Sequence, residues 1–215
     1  DATLDEAQEN KFRLVFEKMN LKPGDKHLDV GCGWGSMVRY AARQGVKSLG
    51  VTLSKEQAEW AQAKIKEEGL EDLAEVRFLD YRDVTETGFD GISSIGLLEH
   101  IGVKNFASYF EFLAGKLRPG GVMVNHCITY PDNHKTPQGD FINRYIFPDG
   151  ELTGSGTIIY EMQDHGFEVF HEENIRFDYM RTLHDWCENL KANWDEAVAL
   201  VGENTAKLWG CLLYT

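Results

Sequence analysis

Leu28-Asp29-Val30-Gly31-Cys32-Gly33-Trp34-Gly35 (LDVGCGWG, residues 28–35) decides the fold. An apolar strand runs into three glycines at alternate positions, and a helix begins directly afterwards. An α/β domain built this way brings bare backbone against a nucleoside-containing ligand at the carboxyl end of its first strand. Glycine is needed where a Cβ would collide with the ligand or forbid the turn. The spacing is G-x-G-x-G, not the G-x-G-x-x-G that seats a pyrophosphate on a helix N-terminus. The implied ligand is a nucleoside without phosphates, and S-adenosylmethionine is the leading candidate.

The surrounding sequence supplies the rest of that architecture. Residues 3–19 read as an amphipathic helix with Thr3 and Glu6 as a capping box; Leu4, Ala7, Phe12, Val15, Phe16 and Met19 are its apolar positions. Pro23-Gly24-Asp25 turns the chain into the first strand, 27–30. A helix over about 35–44 ends near Gly45, and 48–53 is the second strand. Ser54 caps a long helix reaching Gly69, with Gln57 as its capping-box partner. Strands follow at 75–79 and 89–95, then a helix over about 104–117. Arg118-Pro119-Gly120-Gly121 turns into a fifth strand, 122–128. This alternation specifies a parallel sheet with helices on both faces. After residue 129 come a polar, turn-rich stretch, a Phe/Tyr/Ile segment and a helix around 155–165. A strand pair near 167–177 and helices around 181–199 and 203–214 complete the pattern. This later portion is expected to cover the mouth of the sheet.

Bulk composition narrows the partners. With 215 residues, 42% hydrophobic and 27% charged, the chain can bury a full core. A formal charge of -13 argues against a nucleic-acid backbone and against a broadly basic membrane face. Its apolar runs fall short of the roughly 20 residues of a membrane span. Cys32, Cys127, Cys187 and Cys211 are widely spaced, which reads as reduced thiols in a cytoplasm and no metal site. The chain opens at Asp1 and stops within the apolar pattern of Leu212-Leu213-Tyr214, as a portion of a longer protein would.

The candidate site residues lie at strand ends. Asp29, Gly31, Cys32, Gly33, Trp34 and Gly35 form the first wall of the cofactor site. At the end of the second strand an Asp or Glu usually takes both ribose hydroxyls; here Thr52, Leu53 and the helix-start Gln57 occupy that place. Tyr81 and Arg82 follow the third strand, where Tyr81 can stack on adenine, while Asp80 and Asp83 read equally as turn residues. Gly96 and Glu99 follow the fourth strand. A carboxylate amid Leu97, Leu98 and Ile101 is costly to bury unless paired or functional. His100, at a helix start, reads as structural. On the fifth strand His126 and Ile128 share a face; His126 alone reads equally as a satisfied core histidine.

Taken together, LDVGCGWG, GVTLSKEQ, IGLLEHIG, the His-x-Ile of the fifth strand, FINRYIFPDGEL and FDYMRTLHDW resemble the cyclopropane-fatty-acid synthase family over nearly the whole chain. The resemblance implies a Rossmann-like class I methyltransferase with a seven-stranded, mostly parallel sheet and an α-helical lid insertion. It implies a single domain over 1–215, with acyl-binding elaborations at about 130–150 and 178–215 and with N- and C-terminal parts of the family domain missing. It implies methylation of a cis double bond in an acyl chain by S-adenosylmethionine, with bicarbonate as base. The bicarbonate-holding roles fall on Glu99, His126, the Ile128 backbone and Tyr179. The family's upstream cysteine segment precedes the point where this chain begins. The short polar segment before FINRYIFPDGEL is similar to members acting on phospholipids. That motif and ANWDEAVALVG also resemble an actinobacterial branch that makes methyl- or methylene-branched fatty acids.

The resulting expectation is a C-methyltransferase acting on unsaturated fatty acyl phospholipids and giving a cyclopropane or a 10-methylene product. It works at the cytoplasmic face of the membrane through peripheral contact, with a separate reductase and a homodimer as further partners. The acyl mouth is expected among Phe141, Ile142, Tyr145, Ile146 and Phe147, each of which reads equally as internal core. The alternative is a small-molecule N-methyltransferase of the same fold. A non-catalytic binding domain would lack Glu99 or His126, and both are present.

Overall fold

The central strand β1 (Lys26–Val30) pairs in parallel with β2 (Lys47–Thr52) on one side and β4 (Phe89–Ile95) on the other. With β3 (Ala74–Phe78) outside β2 and β5 (Leu117–His126) outside β4, the order is β3-β2-β1-β4-β5, all parallel. The computed structural model describes residues 3–134 and 139–214. The chain order reverses between β1 and β4, so a crevice opens at the carboxyl ends of these two strands.

Strand alternation sorts the two faces. Leu28 and Val30 of β1, Leu49 and Val51 of β2 and Ile92 of β4 pack on Phe106, Tyr109, Phe110 and Leu113 of α5 (Phe106–Lys116) and Ile158 of α6 (Ser155–Asp164). His27 and Asp29 point to the opposite face. There, α1 (Leu4–Met19) and α2 (Ser36–Arg43) bury Val15, Met19, Met37, Tyr40 and Ala41. Ala58, Ala61 and Ile65 of α3 (Lys55–Glu67) close the same face over β2 and β3.

The expected capping box of α1 is complete: Glu6 N donates to Thr3 Oγ1 at 3.3 Å and Thr3 N donates to Glu6 Oε2 at 2.8 Å. That of α3 is half made. Gln57 N donates to Ser54 Oγ at 3.2 Å, but the Gln57 side chain accepts from Thr52 Oγ1 at 2.9 Å instead of reaching back.

Three expectations about strands differ from the structure. β5 begins at Leu117, so Arg118–Gly121 is an irregularity inside the strand rather than a turn before it. It wraps Asp90, whose carboxylate takes Arg118 Nε and, at 2.8 Å, Lys26 N. Among the described residues the sheet has five strands, not the seven implied by the resemblance. Residues 167–175 carry strand-like Phe/Val alternation but make no ladder, because no partner strand lies beside them among the described residues.

Beyond β5 a π-helical turn (Ile142–Ile146) and the helices α7 (Arg176–Ala192), α8 (Trp194–Val201) and α9 (Glu203–Tyr214) form the elaboration. α9 packs on α7, α8 and the π-helical turn. An apolar cavity of about 260 Å³ lies among α7, α8 and α9, lined by Cys187, Leu190, Trp194 and Leu213. No helix among the described residues is long and apolar enough to cross a membrane.

Candidate active site

The three loop glycines have different reasons to be glycine. All sit at positive φ: Gly31 at 71°, Gly33 at 54° and Gly35 at 70°. A Cβ on Gly31 would meet Leu97 Cδ1 at 2.9 Å, and one on Gly35 would meet Ala61 Cβ at 2.9 Å. At these two positions the missing Cβ also makes room for a protein neighbour. A Cβ on Gly33 would meet nothing within 4 Å, as would one on Gly96 (φ 69°) at the end of β4. Their positive φ favours glycine, and the space beside each is open at the carboxyl ends of β1 and β4. Leu53 is 72% exposed at the end of β2, a poor place for a leucine unless a flat apolar group covers it. This cradle fits a nucleoside cofactor.

The ribose and adenine candidates are partly engaged already. Thr52 Oγ1 accepts from Ser54 N at 3.2 Å while donating to Gln57, which orients the Gln57 amide with its NH₂ end as the remaining donor. Tyr81 packs edge-on against Tyr109 and Phe112, with centroids 5.3 and 5.6 Å away, so its ring is core-bound on that side. Asp80 is a turn residue that also holds an arginine. Its carboxylate accepts from Arg82 N at 2.9 Å and from Arg82 Nη2 at 2.6 Å. Trp34 stands edge-on to Trp60 of α3 at 5.4 Å.

At the ends of β4 and β5 the acidic site assembles. Ile95 pairs with His126, and Gly96 N donates to the His126 carbonyl at 2.8 Å. Glu99 lies in the short helix α4 (Leu98–Ile101), and its Oε1 accepts from Ile128 N at 2.8 Å. The Ile128 N–H thus anchors the carboxylate. Glu99 Oε2 and His126 Nδ1 are buried with no hydrogen-bond partner. Orphaned buried polar atoms are rare and costly, so the site is shaped for a polar occupant. Burial, and then the Glu99 charge, shift the Tyr179 phenol of α7 up. Burial pushes the Cys127 thiol up to about 12, with Glu99 adding to it. His126 is shifted down, first by burial and then by the Lys11 charge, with Glu99 opposing; its imidazole is held neutral.

The sequence model of the mycolic acid cyclopropane synthetase family matches residues 1–215. The chain belongs to this family. Like other cyclopropane synthetase relatives, it carries the α/β fold of class I methyltransferases: it superposes on mycolic acid cyclopropane synthase CmaA1, complexed with SAH and CTAB, with a TM-score of 0.90 and 32% identity over 99% of this chain and 79% of that one. It is 64% identical over 211 residues to a probable fatty acid methyltransferase of Mycobacterium tuberculosis, covering 98% of this chain and 49% of that protein. It is 38% identical over 196 residues to the cyclopropane-fatty-acyl-phospholipid synthase of Escherichia coli K12, covering 90% and 49%. The chain spans about half the length of the curated relatives it matches.

Two residues join the site without having been singled out in the sequence. Glu151 N donates to the Glu99 carbonyl at 2.8 Å and its carboxylate accepts from Val103 N at 2.7 Å, so it clamps α4 on two sides. It stands within FINRYIFPDGEL, where the motif as a whole drew the reading and no single position did. Lys11 is the cation on the apolar face of α1, four residues from both Ala7 and Val15, and its charge acts on Asp29 and His126. An isolated lysine in an apolar stripe was the available signal.

Proposed function

We propose that the protein containing this chain is an S-adenosylmethionine-dependent C-methyltransferase acting on the cis double bond of unsaturated fatty acyl chains in phospholipids, yielding a cyclopropane or 10-methylene product. The observation that carries this reading is the pair of buried, unpartnered atoms, Glu99 Oε2 and His126 Nδ1, at the mouth of neighbouring strands. A carboxylate acceptor and an imidazole at the ends of neighbouring strands suit a small oxyanion that also has an O–H to donate, and bicarbonate has both. When bound, bicarbonate supplies a base, and S-adenosylmethionine supplies an electrophilic methyl group.

The chain's own residues do the positioning. Asp29, Gly31, Cys32, Gly33, Trp34 and Gly35, with Thr52, Leu53, Gln57, Tyr81, Arg82 and Gly96, hold the cofactor along the strand ends. Glu99, fixed by the Ile128 N–H, and His126 with the Tyr179 hydroxyl orient the base. An alkene is a weak nucleophile, so alignment in a dry slot carries much of the rate enhancement. Methylation leaves a carbocation on the acyl chain, and the negative charge of Glu99 with the aromatic face of Tyr179 stabilises it. Residues 1–215 act as one methyltransferase domain in this reading, with 130–150 and 178–215 as its acyl-facing cover. Tyr145 and Phe147, 53% and 38% exposed, support an acyl entrance and peripheral contact with the cytoplasmic face of the membrane. Phe147 also packs on His100 at 5.6 Å, which ties that entrance to α4.

Glu99→Gln tests the reading. It keeps the shape and one acceptor but removes the charge. Turnover on phospholipid vesicles with unsaturated chains should fall by more than about 100-fold, the scale of a removed electrostatic stabiliser. S-adenosylhomocysteine affinity should stay within about twofold. Near-normal turnover in this variant would refute the oxyanion site.

A further inference from the structure

Behind the glycine loop lies a chain of buried polar groups that a methyltransferase sheet has no packing reason to contain. His27 is fully buried, Ser48 and Asp29 are 3% exposed, and Ser93 is fully buried. They come from three adjacent strands, β2, β1 and β4, and all project toward α1 and α2. His27 Nδ1 lies 2.7 Å from Ser48 Oγ, and His27 Nε2 lies 2.9 Å from Ser93 Oγ. Ser93 Oγ in turn donates to Asp29 Oδ1 in a very short hydrogen bond.

Each serine has one hydroxyl proton, and that makes the chain directional. While Asp29 is ionised, the Ser93 proton is committed to it. Ser93 then accepts from His27 Nε2–H, so His27 Nδ1 is bare and accepts from the Ser48 hydroxyl. Adding one proton to the Asp29 carboxylate permits the opposite order. Asp29 then donates to Ser93, Ser93 donates to Nε2, and His27 carries its proton on Nδ1 and donates it to Ser48. The imidazole is neutral in both orders, and only its tautomer changes. Each order makes three hydrogen bonds along the chain; the second leaves the Ser48 hydroxyl proton without an acceptor within it, which favours the first order.

We infer that Ser48, His27 and Ser93 are positioning residues: a hydrogen-bond relay that aims the Asp29 carboxylate at the cofactor's amino group and registers the charge of Asp29 as the tautomer of His27. The inference rests on the cofactor assignment proposed above. Burial drives the groups the right way for such a device. Asp29 is raised to about 7 by desolvation, against the Ser93 hydrogen bond and the Lys11 charge. His27 is lowered to about 3 by desolvation, so it stays neutral across the range in which Asp29 titrates. The other titratable groups facing Asp29 are Lys11 of α1, the Cys32 thiol of the glycine loop and the Tyr109 phenol of α5 across the sheet. Burial raises the thiol and the phenol and the Asp29 charge adds to it, so both stay neutral through this range. Lys11 also acts on His126, so the relay and the acidic site share one cation. A cofactor ammonium beside Asp29 holds it ionised and locks the Nε2–H order.

Ring-nitrogen NMR of the intact protein reads the tautomer directly, with the His27 signals assigned by their loss in His27→Gln. Without ligand, His27 should pass from Nδ1–H to Nε2–H as the pH rises through Asp29's titration, and never become doubly protonated. S-adenosylhomocysteine should hold Nε2–H at every pH. In Ser93→Ala the tautomer should cease to follow pH, and S-adenosylhomocysteine affinity should fall at least roughly tenfold, as expected when a hydrogen bond to a charged group is lost. Asp29→Asn, whose amide can donate to Ser93, should lock Nδ1–H. A His27 tautomer indifferent to pH in the wild type, or a Ser93→Ala variant that still switches, would overturn the relay. Wild-type protein that switches with pH but does not bind S-adenosylhomocysteine would leave the relay standing as a hydrogen-bond device, remove its cofactor role and refute the cofactor assignment.

Discussion

Replacing the loop glycines one at a time by alanine separates cofactor contact from packing. At φ 54° an alanine at 33 incurs the left-handed penalty of roughly 1–2 kcal/mol and nothing more, since its Cβ has no neighbour within 4 Å. Alanine at 35 incurs a similar penalty at φ 70° and also drives a methyl to 2.9 Å from Ala61 Cβ and 3.2 Å from Val76 Cγ2. The Ala61 methyl has no rotamer to change and Val76 is stiff about χ1, so overpacking adds about 1–3 kcal/mol. Gly35→Ala should therefore destabilise by about 2–5 kcal/mol, more than Gly33→Ala, in urea denaturation of the ligand-free protein. In titration calorimetry with S-adenosylhomocysteine the order should reverse. Gly33→Ala places its methyl in the cofactor cradle and should weaken binding by at least about tenfold, the 1.4 kcal/mol of a modest steric clash. Gly33→Ala binding at wild-type affinity would refute the assignment of Gly33 as a cofactor wall. A larger stability loss at 33 than at 35 would refute the packing account.

Removing the Tyr109 hydroxyl by Tyr109→Phe takes a buried donor from Ser94 Oγ, 2.7 Å away, and should cost about 1–2 kcal/mol in urea denaturation; no change would mean another donor serves Ser94. The buried His27 and Asp29 also make stability depend on pH, with opposite signs. The folded His27 titrates near 3 against an ordinary 6.5, so its contribution is present above 6.5 and is lost as pH falls toward 3, where only the unfolded chain gains the proton. The folded Asp29 titrates near 7 against an ordinary 3.8, so its contribution is present below 3.8 and is lost as pH rises through 7. Urea midpoints should respond accordingly: His27→Gln flattens the acid-side fall and Asp29→Asn flattens the fall toward pH 7. Parallel wild-type and variant curves would contradict the burial argument.

Local features of the fold were legible because their causes are local. Thr3 and Glu6 carry their capping box within four residues, and the glycine loop declares a strand, a tight turn and a helix in one run. The acidic character of the site was legible too, because Glu99 sits among apolar neighbours where a solvated carboxylate has no place. What escaped depends on partners far along the chain. The Gln57 side chain is drawn to Thr52 by the geometry of the β2 end, which overrides the capping pattern. The Arg118–Gly121 stretch looks like a turn until Asp90, 28 residues away from Arg118, is seen at its centre. His27 and Ser93 are 66 residues apart, and nothing in either segment marks them as a pair. The strand-like residues 167–175 show the reverse case: alternation gives a propensity, but a ladder requires a neighbour.

The central claim concerns the fate of an alkene, and lipid mass spectrometry reads that fate directly. Cells expressing the intact protein, and matched cells expressing its Glu99→Gln form, supply phospholipids for acyl-chain analysis. The account predicts unsaturated chains that gain one CH₂ in the wild-type cells and not in the variant, with hydrogenation or fragmentation separating a ring from a methylene branch. Acyl chains unchanged in mass, with the methyl group appearing instead on an amine, would contradict it.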